Sequence, residues 1–406
     1  MANDVNPPRG MRDFLPLEHS KRSVVLNAIR GTYLAHGYQE IETPAMEDLA
    51  RLTSGQGGDN EKLAYRVLKR GEELDAALAE GGELADLGLR FDLTVPLTRY
   101  YATNRAKLPN VFKAIQTGPV WRAERPQKGR YRQFVQCDID IIGDSSELAE
   151  VDLLISSLDA LAQIGLPDAV IRVNHRALLS SLLEKLGVPE EGRSSAMITI
   201  DKLDKIAAEG VTKELTEKFG QDVGDATAVW LESIVGELEV PVELMSLFSA
   251  VESRFPGRLR FDPTLVRGMG YYTGAIFEIE HPGSGSSIGG GGRYDGMVGR
   301  WLGTDVPAVG ISIGFERVVD LVEAAALKNH LGGIVLVLDN TEPRTLANAV
   351  ALQSQLIAQN NSVRLENRPK KLNLLLESLA ENGFDRFATV NEDSTSLESL
   401  QIKALS

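Results

Sequence analysis

Cysteine is almost missing from this chain: Cys137 is the one cysteine in 406 residues. A single thiol cannot form an intrachain disulfide. A Cys-based zinc site, which needs several thiolates or clustered histidines, is not expected either. The five histidines, His19, His36, His175, His281 and His330, are scattered along the chain and argue against a metal centre. No apolar run approaches the roughly 20 residues needed to span a bilayer. The start, Met-Ala-Asn-Asp-Val-Asn-Pro-Pro, carries no basic apolar leader, so no secretory signal is expected. A reducing cytoplasm fits these absences. Positive charge is also scarce: 43 Lys and Arg stand against 57 Asp and Glu, for a net charge of -14. Taken alone, that argues against a general nucleic-acid binder, because the phosphate backbone rewards basic protein. A local basic surface on an acidic body remains open.

What is present is ordinary in bulk. Hydrophobic residues make up 43% and charged residues 25%, as in soluble globular proteins, and 406 residues suffice for two or three domains. Basic residues cluster twice, five between Arg122 and Arg132 and four between Arg364 and Lys371. The second cluster reads equally well as a solvated surface. In the first, Gly129, Tyr131 and Phe134 interleave with the charges, which favours a binding role. Residues 111–121 and 132–142 alternate well enough to be antiparallel strands around this loop. Arg122 then stands on the outgoing strand, a basic glycine-containing turn follows, and Phe134 returns where it can stack on a base. Arginine's planar fork of donors fits a phosphate or carboxylate better than lysine does. On the returning strand Gln136, Asp138 and Asp140 alternate, so they point to one face.

Along the rest of the chain, residues 20–36 have apolar positions at helical spacing, stopped by Gly37. Ile41-Glu42-Thr43-Pro44 reads as an extended piece ended by proline. Residues 89–101 read as a strand leading into a helix with Pro96 in its first turn, and 146–164 as a helix. Without strict βαβ alternation the sheet is expected to be antiparallel or mixed. From about 172 to 255 helical patterns dominate, as in a mostly helical insertion. Strand and glycine signals return from 258 to 318. The run Gly289-Gly290-Gly291-Gly292-Arg293-Tyr294-Asp295 permits close backbone approach to a ligand, or else is a flexible linker. Residues 322–333 read as a linker, and the loop 53–64, rich in Gly, Ser and Asp, as either a closing or a merely mobile loop. The tail alternates strand (334–338), helix (343–358), strand (362–366), helix (369–382) and strand (386–390), which implies a small parallel or mixed sheet.

Arg-x-Glu, a loop, then Arg-x-x-x-Phe, as it stands from Arg122 to Phe134, resembles motif 2 of the class II aminoacyl-tRNA synthetases. Its wording resembles that of histidyl-tRNA synthetases in particular. The helix and Pro-ended piece before Pro44 resemble motif 1, the dimer-forming element. Gly310-Ile311-Ser312-Ile313-Gly314-Phe315-Glu316-Arg317 resembles motif 3. The segment Arg267-Gly268-Met269-Gly270-Tyr271-Tyr272 resembles the histidine-specific Arg-Gly-Leu-Asp-Tyr-Tyr motif, with Gly270 where the family usually has aspartate. If that aspartate braces the arginine, positioning here is looser or comes from another group. The glycine run resembles the family's Gly-Gly-Arg-Tyr-Asp element.

The resemblance covers essentially the whole chain. It implies an α+β catalytic core over 1–325, an antiparallel sheet flanked by helices, with the helical insertion at about 172–255. A small C-terminal α/β domain like an anticodon-binding domain follows at 331–406, shortened after Ser396. It further implies a cytoplasmic homodimer that makes histidyl-adenylate from histidine and ATP and transfers it to histidine tRNA. Mg²⁺ would enter with ATP and not through a dedicated protein metal cage. Arg122 would bridge the amino-acid carboxylate and the α-phosphate, and Arg267 would reach the same phosphate. Glu124 would accept from the adenine amine or the tRNA end, Arg130 would meet the γ-phosphate, Phe134 would stack on adenine, and Arg317 would clamp the phosphates from the opposite side. Asp92 and Thr94 would bind the α-amino group, and Gln136 would help hold the amino acid. Asp140 would face the imidazole, and Tyr271 and Tyr272 would wall the pocket. Arg125 and Gln127 would touch the tRNA acceptor end.

Two rivals accompany this reading. Regulatory paralogues of the same fold bind histidine and control the phosphoribosyltransferase that opens histidine biosynthesis. A short tail and Gly270 fit them, whereas a complete set of Arg122, Phe134, Arg267 and Arg317 does not. Stand-alone paralogues that activate an amino acid without charging tRNA are the other.

Overall fold

The longest alternating runs of the sequence, 111–121 and 132–142, become neighbouring inner strands of a sheet. The computed structural model describes residues 5–54, 62–126, 129–236, 238–267, 271–323 and 333–405. In chain order its elements begin with α1 (Pro16–Ala35), β1 (Gln39–Glu40), β2 (Met46–Asp48), α2 (Leu49–Leu52), β3 (Arg66–Leu68), α3 (Glu72–Glu80), β4 (Ala85–Leu89) and α4 (Thr94–Asn104). They continue with β5 (Phe112–Trp121), β6 (Gln133–Ile142), α5 (Leu148–Gln163), β7 (Val170–His175), α6 (Arg176–Lys185), α7 (Arg193–Ile200), α8 (Leu203–Phe219), α9 (Gln221–Ser233), α10 (Met245–Glu252) and β8 (Leu259–Phe261). Then come β9 (Ala275–Glu280), β10 (Gly289–Arg293), α11 (Asp295–Gly299), β11 (Ala308–Gly314) and α12 (Phe315–Leu321). The tail holds β12 (Ile334–Leu338), α13 (Pro343–Ala358), β13 (Val363–Asn367), α14 (Leu372–Glu381), β14 (Arg386–Val390) and β15 (Lys403–Ala404).

Eight strands form one sheet in the order β1-β5-β6-β11-β10-β9-β7-β8. Its inner pairs are antiparallel, and only the outer pairs β1–β5 and β7–β8 run parallel. The expected antiparallel sheet flanked by helices is therefore present. A second, three-stranded sheet runs β2-β4-β3. The β5–β6 hairpin keeps register from Phe112↔Ile142 to Trp121↔Gln133. Ile115, Ile139 and Ile141 share one buried face while Gln116, Asp138 and Asp140 share the other, which fixes the register because a slip by one residue would exchange the two sets.

Two boundaries differ from the sequence reading. The extended pairing before Pro44 is Gln39–Glu40, two residues earlier than expected, with Ile41 N–H still donating to Ile115 O at 2.9 Å. The segment read as helical from about 172 opens inside β7, which pairs with β8 and β9, before α6 to α10 begin. The strand does alternate, with Ile171 and Val173 buried and Arg172 between them, but so short a run leading straight into a long helical pattern is easily absorbed into that pattern. The glycine run is no linker: Gly289–Arg293 is β10, hydrogen-bonded on both sides. The linker at 324–332 and most of the loop at 53–64 lie outside the described residues.

By contacts the chain divides into two units, Met1–Arg12 with Ala28–Val322, and Asp13–Asn27 with Glu323–Ser406. The grouping of Asp13–Asn27 with the tail differs from a first domain running unbroken from residue 1. Helical spacing marks an apolar stripe but not the core it packs on. Within the second unit β13-β12-β14-β15 form a sheet, parallel except for β15. Ile334, Leu336 and Leu338 of β12 pack with Ala349, Leu352 and Leu356 of α13. Val335 and Val337 pack with Leu379 of α14 on the opposite face. This is the small α/β domain expected from the βαβαβ order.

Candidate active site

Rows of register partners across the large sheet build the site. One row reads Gln116, Asp138, Ser312, Gly290, Glu278, Arg172; the next on the same face reads Ala114, Asp140, Gly310, Gly292, Ile276, Asn174. Carboxylates on β6 thus face strands whose side chains are reduced to hydrogen. The space is needed: a Cβ on Gly310 would lie 1.9 Å from Asp140 Oδ1, and one on Gly290 2.6 Å from Arg267 Cζ.

Two cavities open on this face. The first, of about 100 Å³, is lined by Asp92, Thr94, Arg122, Gln136, Asp138, Asp140, Arg267, Tyr271 and Tyr294 among others. The second, of about 450 Å³, is lined by Arg122, Glu124, Arg130, Tyr131, Phe134, Gln136, Arg267, Gly290, Glu316 and Arg317 among others. Arg122, Gln136, Arg267, Gly290 and Ser312 line both. The two spaces therefore meet between two guanidinium groups.

Arg122 stands where β5 ends. Its N–H donates to Arg132 O at 2.9 Å, continuing the hairpin, and its Nε donates to Phe91 O at 3.0 Å. Phe91 in turn belongs to the segment held by Arg90, whose guanidinium donates to Thr43 O at 2.7 Å and Pro119 O at 3.0 Å. The Arg122 guanidinium lies 5.0 Å from the Phe134 ring centroid. Burial lowers its pKa, and Asp92 and Glu124 oppose that. Glu124 lies 3.7 Å from Arg130. Arg317 Nη1 donates to Ser287 O. Its pKa is lowered by burial and by the like charges Arg130 and Arg267, which places these cations in one field.

The acidic end is built differently. Asp92 accepts from Val95 N–H at 3.1 Å in the first turn of α4. Gln136 Nε2 donates to Ser312 Oγ at 3.0 Å, while its buried Oε1 has no hydrogen-bond partner among the described residues. A buried acceptor left open costs free energy until a donor arrives, and a substrate ammonium group is such a donor. Burial pushes Asp138 well above the usual carboxylate range, with Asp140 adding to it. Burial raises Asp140 to about 7, although Tyr294 OH donates to its Oδ1 at 2.5 Å.

Most expected site residues therefore converge. Asp92, Thr94, Gln136, Asp140 and Tyr271 line the smaller cavity with Arg122 and Arg267. Glu124, Arg130, Phe134 and Arg317 line the larger with the same pair. Tyr272 does not line either cavity; it packs on Tyr271 at 4.6 Å between ring centroids, and Tyr294 takes the wall position. The ring of Tyr272 lies instead against Gly292 of β10, where a Cβ would come within 2.9 Å of it. Arg125 is exposed and lines neither cavity. Gln127 and Gly270 lie outside the described residues. Sequence reasoning passed over Tyr294 and Ser312 as site residues. Asp138 was visible in the alternation with Gln136 and Asp140 but was given no role. Arg293, within the glycine-rich element, is not a ligand group: Glu150 takes its Nε and Nη2, each at 2.5 Å.

Comparison with known proteins bears directly on this arrangement. A family model described as histidyl-tRNA synthetase matches residues 10–318. A protein of Leifsonia xyli subsp. xyli (strain CTCB07) named histidine–tRNA ligase is 51% identical, covering 100% of this chain and 99% of its own. The crystal structure of histidyl-tRNA synthetase from Nostoc sp. PCC 7120 superposes with a TM-score of 0.79 at 26% identity, covering 99% of this chain and 97% of that one. A structure from Bacillus halodurans C titled an ATP phosphoribosyltransferase regulatory subunit/histidyl-tRNA synthetase shares the fold, with a TM-score of 0.76 at 19% identity over 95% of this chain and 98% of that one. The match over residues 10–318, together with 51% identity along the full length, shows that the chain belongs to the histidyl-tRNA synthetase family.

Proposed function

We propose that the protein is a histidine–tRNA ligase that activates histidine with ATP and passes the histidyl group to the terminal ribose of histidine tRNA. The observation that carries the reading is the pair Arg122 and Arg267 at the junction of the two cavities. Activation brings two anions together, a carboxylate and an α-phosphate, and fixed cations offset their repulsion. Histidine would enter the smaller cavity. Its ammonium would meet Gln136 Oε1 and Asp92, with Thr94 beside them, and its imidazole would face Asp140 and Tyr294. Adenine would stack on Phe134, Glu124 would accept from its amine, and Arg130 and Arg317 would hold the outer phosphates. A histidine carboxylate oxygen then bonds to the α-phosphorus as the bond to the β-phosphate oxygen breaks, and pyrophosphate leaves. Among the described residues no cluster of three His, Cys, Asp or Glu is set to hold a metal ion. Mg²⁺ would arrive on the phosphate oxygens of ATP and neutralise part of their charge.

The remaining parts of the proposal are a homodimer, a cytoplasmic location, Arg125 and Gln127 at the tRNA acceptor end, and the tail as an anticodon-binding domain. Among the described residues no helix is long and apolar enough to cross a membrane. The regulatory reading is not favoured. A regulator has no use for four cations around a nucleotide-sized cavity, and the relative at 51% identity is named as a ligase. Histidine-dependent exchange of pyrophosphate into ATP tests the reading: exchange is expected, and its absence refutes activation. Charging of a histidine tRNA transcript separates a ligase from an enzyme that activates without tRNA.

A further inference from the structure

Glu278 has no role in the site as assembled so far, yet it touches one of its two central cations. Its Oε2 accepts from Arg267 Nη1 at 2.8 Å, and its Oε1 accepts from Arg172 Nη1 at 2.9 Å. The register places Arg172, Glu278 and Gly290 side by side on β7, β9 and β10. Arg172 is itself fixed, donating from Nε to Asp262 Oδ2 at 2.6 Å and from Nη1 to Glu280 Oε1 at 3.0 Å. One oxygen of Glu278 is thus committed to an immobile partner, which orients the other toward Arg267. On the next strand the missing side chain of Gly290 leaves the space that the Arg267 guanidinium occupies. Further back, Leu265 O accepts from Asn174 Nδ2 at 3.1 Å, anchoring the segment that carries Arg267.

We propose that Glu278 is the positioning residue of Arg267: it holds the guanidinium at the junction of the two cavities, and Arg172 holds Glu278. This inference rests on reading Arg267 as the cation that meets the α-phosphate. Two features distinguish it from a generic surface ion pair. Both partners are largely buried, with side-chain exposures of 27% for Arg267 and 19% for Glu278. The consequences of losing Glu278 are also uneven. Arg172 keeps Asp262 and Glu280, whereas Arg267 loses the carboxylate that hydrogen-bonds it among the described residues. The effect must fall on the cation that faces the reaction. A glutamine in place of Glu278 keeps the volume but turns an N–H donor toward one of two guanidinium donors, so both contacts cannot survive.

Pyrophosphate exchange of E278Q, E278D, R267A, R267K and the double variant E278Q/R267K tests this, together with thermal midpoints. The expected result for E278Q is a kcat lowered about tenfold or more, as for a misplaced reacting group, with KM for histidine and ATP changed less. In the R267K background E278Q should cost much less than it does alone, because its target is already altered. The proposal is overturned if folded E278Q keeps kcat within about twofold of the parent, or if the two factors multiply in full. A lowered thermal midpoint with kcat intact also overturns it, since that marks a structural brace. Should E278Q not fold, E278D, which keeps the charge and shortens the reach, is judged by the same criteria. R267A with near-normal exchange would refute the reading of Arg267 itself. R267A inactive beside an active E278Q refutes the positioning role alone.

Discussion

Replacing Gly310 by alanine isolates what the glycine-lined face is for. The added Cβ would stand 1.9 Å from Asp140 Oδ1 and 2.9 Å from its Cγ, while the nearest backbone atom, Ile139 O, is 3.3 Å away. Ordinary contact begins near 3.4 Å, so the carboxylate oxygen must retreat by about 1.5 Å while the strand stays nearly in place. That oxygen accepts from Tyr294 OH at 2.5 Å, and the retreat breaks the bond. Overpacking a core by one methyl costs about 1–3 kcal/mol, and a lost hydrogen bond to a charged group about 1.5–3 kcal/mol. Together these are about 2.5–6 kcal/mol, so the thermal midpoint should fall by about 5 °C or more without loss of the fold. Histidine should suffer more, because the group facing its imidazole has moved. In pyrophosphate exchange KM for histidine should rise about ten- to a hundredfold, with KM for ATP near that of the parent. An unchanged KM for histidine in G310A would refute the assignment of Asp140. An equal rise for both substrates would show that the methyl disrupts the sheet and not the pocket.

Other substitutions separate the remaining roles. R267A should lower the exchange rate about a hundred- to a thousandfold, the usual cost of removing one preorganised donor aimed at developing charge, and circular dichroism should show the fold retained. F134A should raise KM for ATP about five- to a hundredfold, from 1–3 kcal/mol of lost stacking, and leave KM for histidine in place. With Asp140 raised to about 7, its carboxylate is neutral below that pH and ionised above it. KM for histidine should then fall as pH rises through about 7 in the parent and lose that inflection in D140N; the substrate's own titration is common to both. Since the folded pKa lies above the unfolded value of about 4, the linked stability is full below about pH 4 and lost toward pH 7. Glu150→Ala leaves the buried Arg293 guanidinium without its bidentate partner. It should destabilise by about 3–5 kcal/mol in urea titration, which distinguishes a structural arginine from the ligand-facing ones.

Local pattern was enough for much of this protein. Alternation over 111–121 and 132–142 specified the hairpin that carries Arg122 and Phe134, because a period of two leaves one register that buries its apolar set. The βαβαβ order of the tail specified its sheet for the same reason, each strand of Ile334-Val335-Leu336-Val337-Leu338 type needing a helix on both faces. The identity of the cations was also legible, since arginine, glycine and aromatics in those orders have few other uses. Tertiary structure decided what pattern cannot carry. Which tyrosine walls the smaller cavity depended on how β10 and the segment before β9 approach each other, so Tyr294 replaced Tyr272. The glycines of β10 were compatible with a linker until their pairing on both sides made them an inner strand, with Gly290 against the Arg267 guanidinium. Glu278 is one acid in an ordinary strand, Ala275–Glu280, and acquires meaning only from Arg172 on β7 and Arg267 ahead of β9. Sequence spacing fixes which face a side chain takes; which partner it meets there is set by strands distant in the chain, and that information resides in the assembled sheet alone.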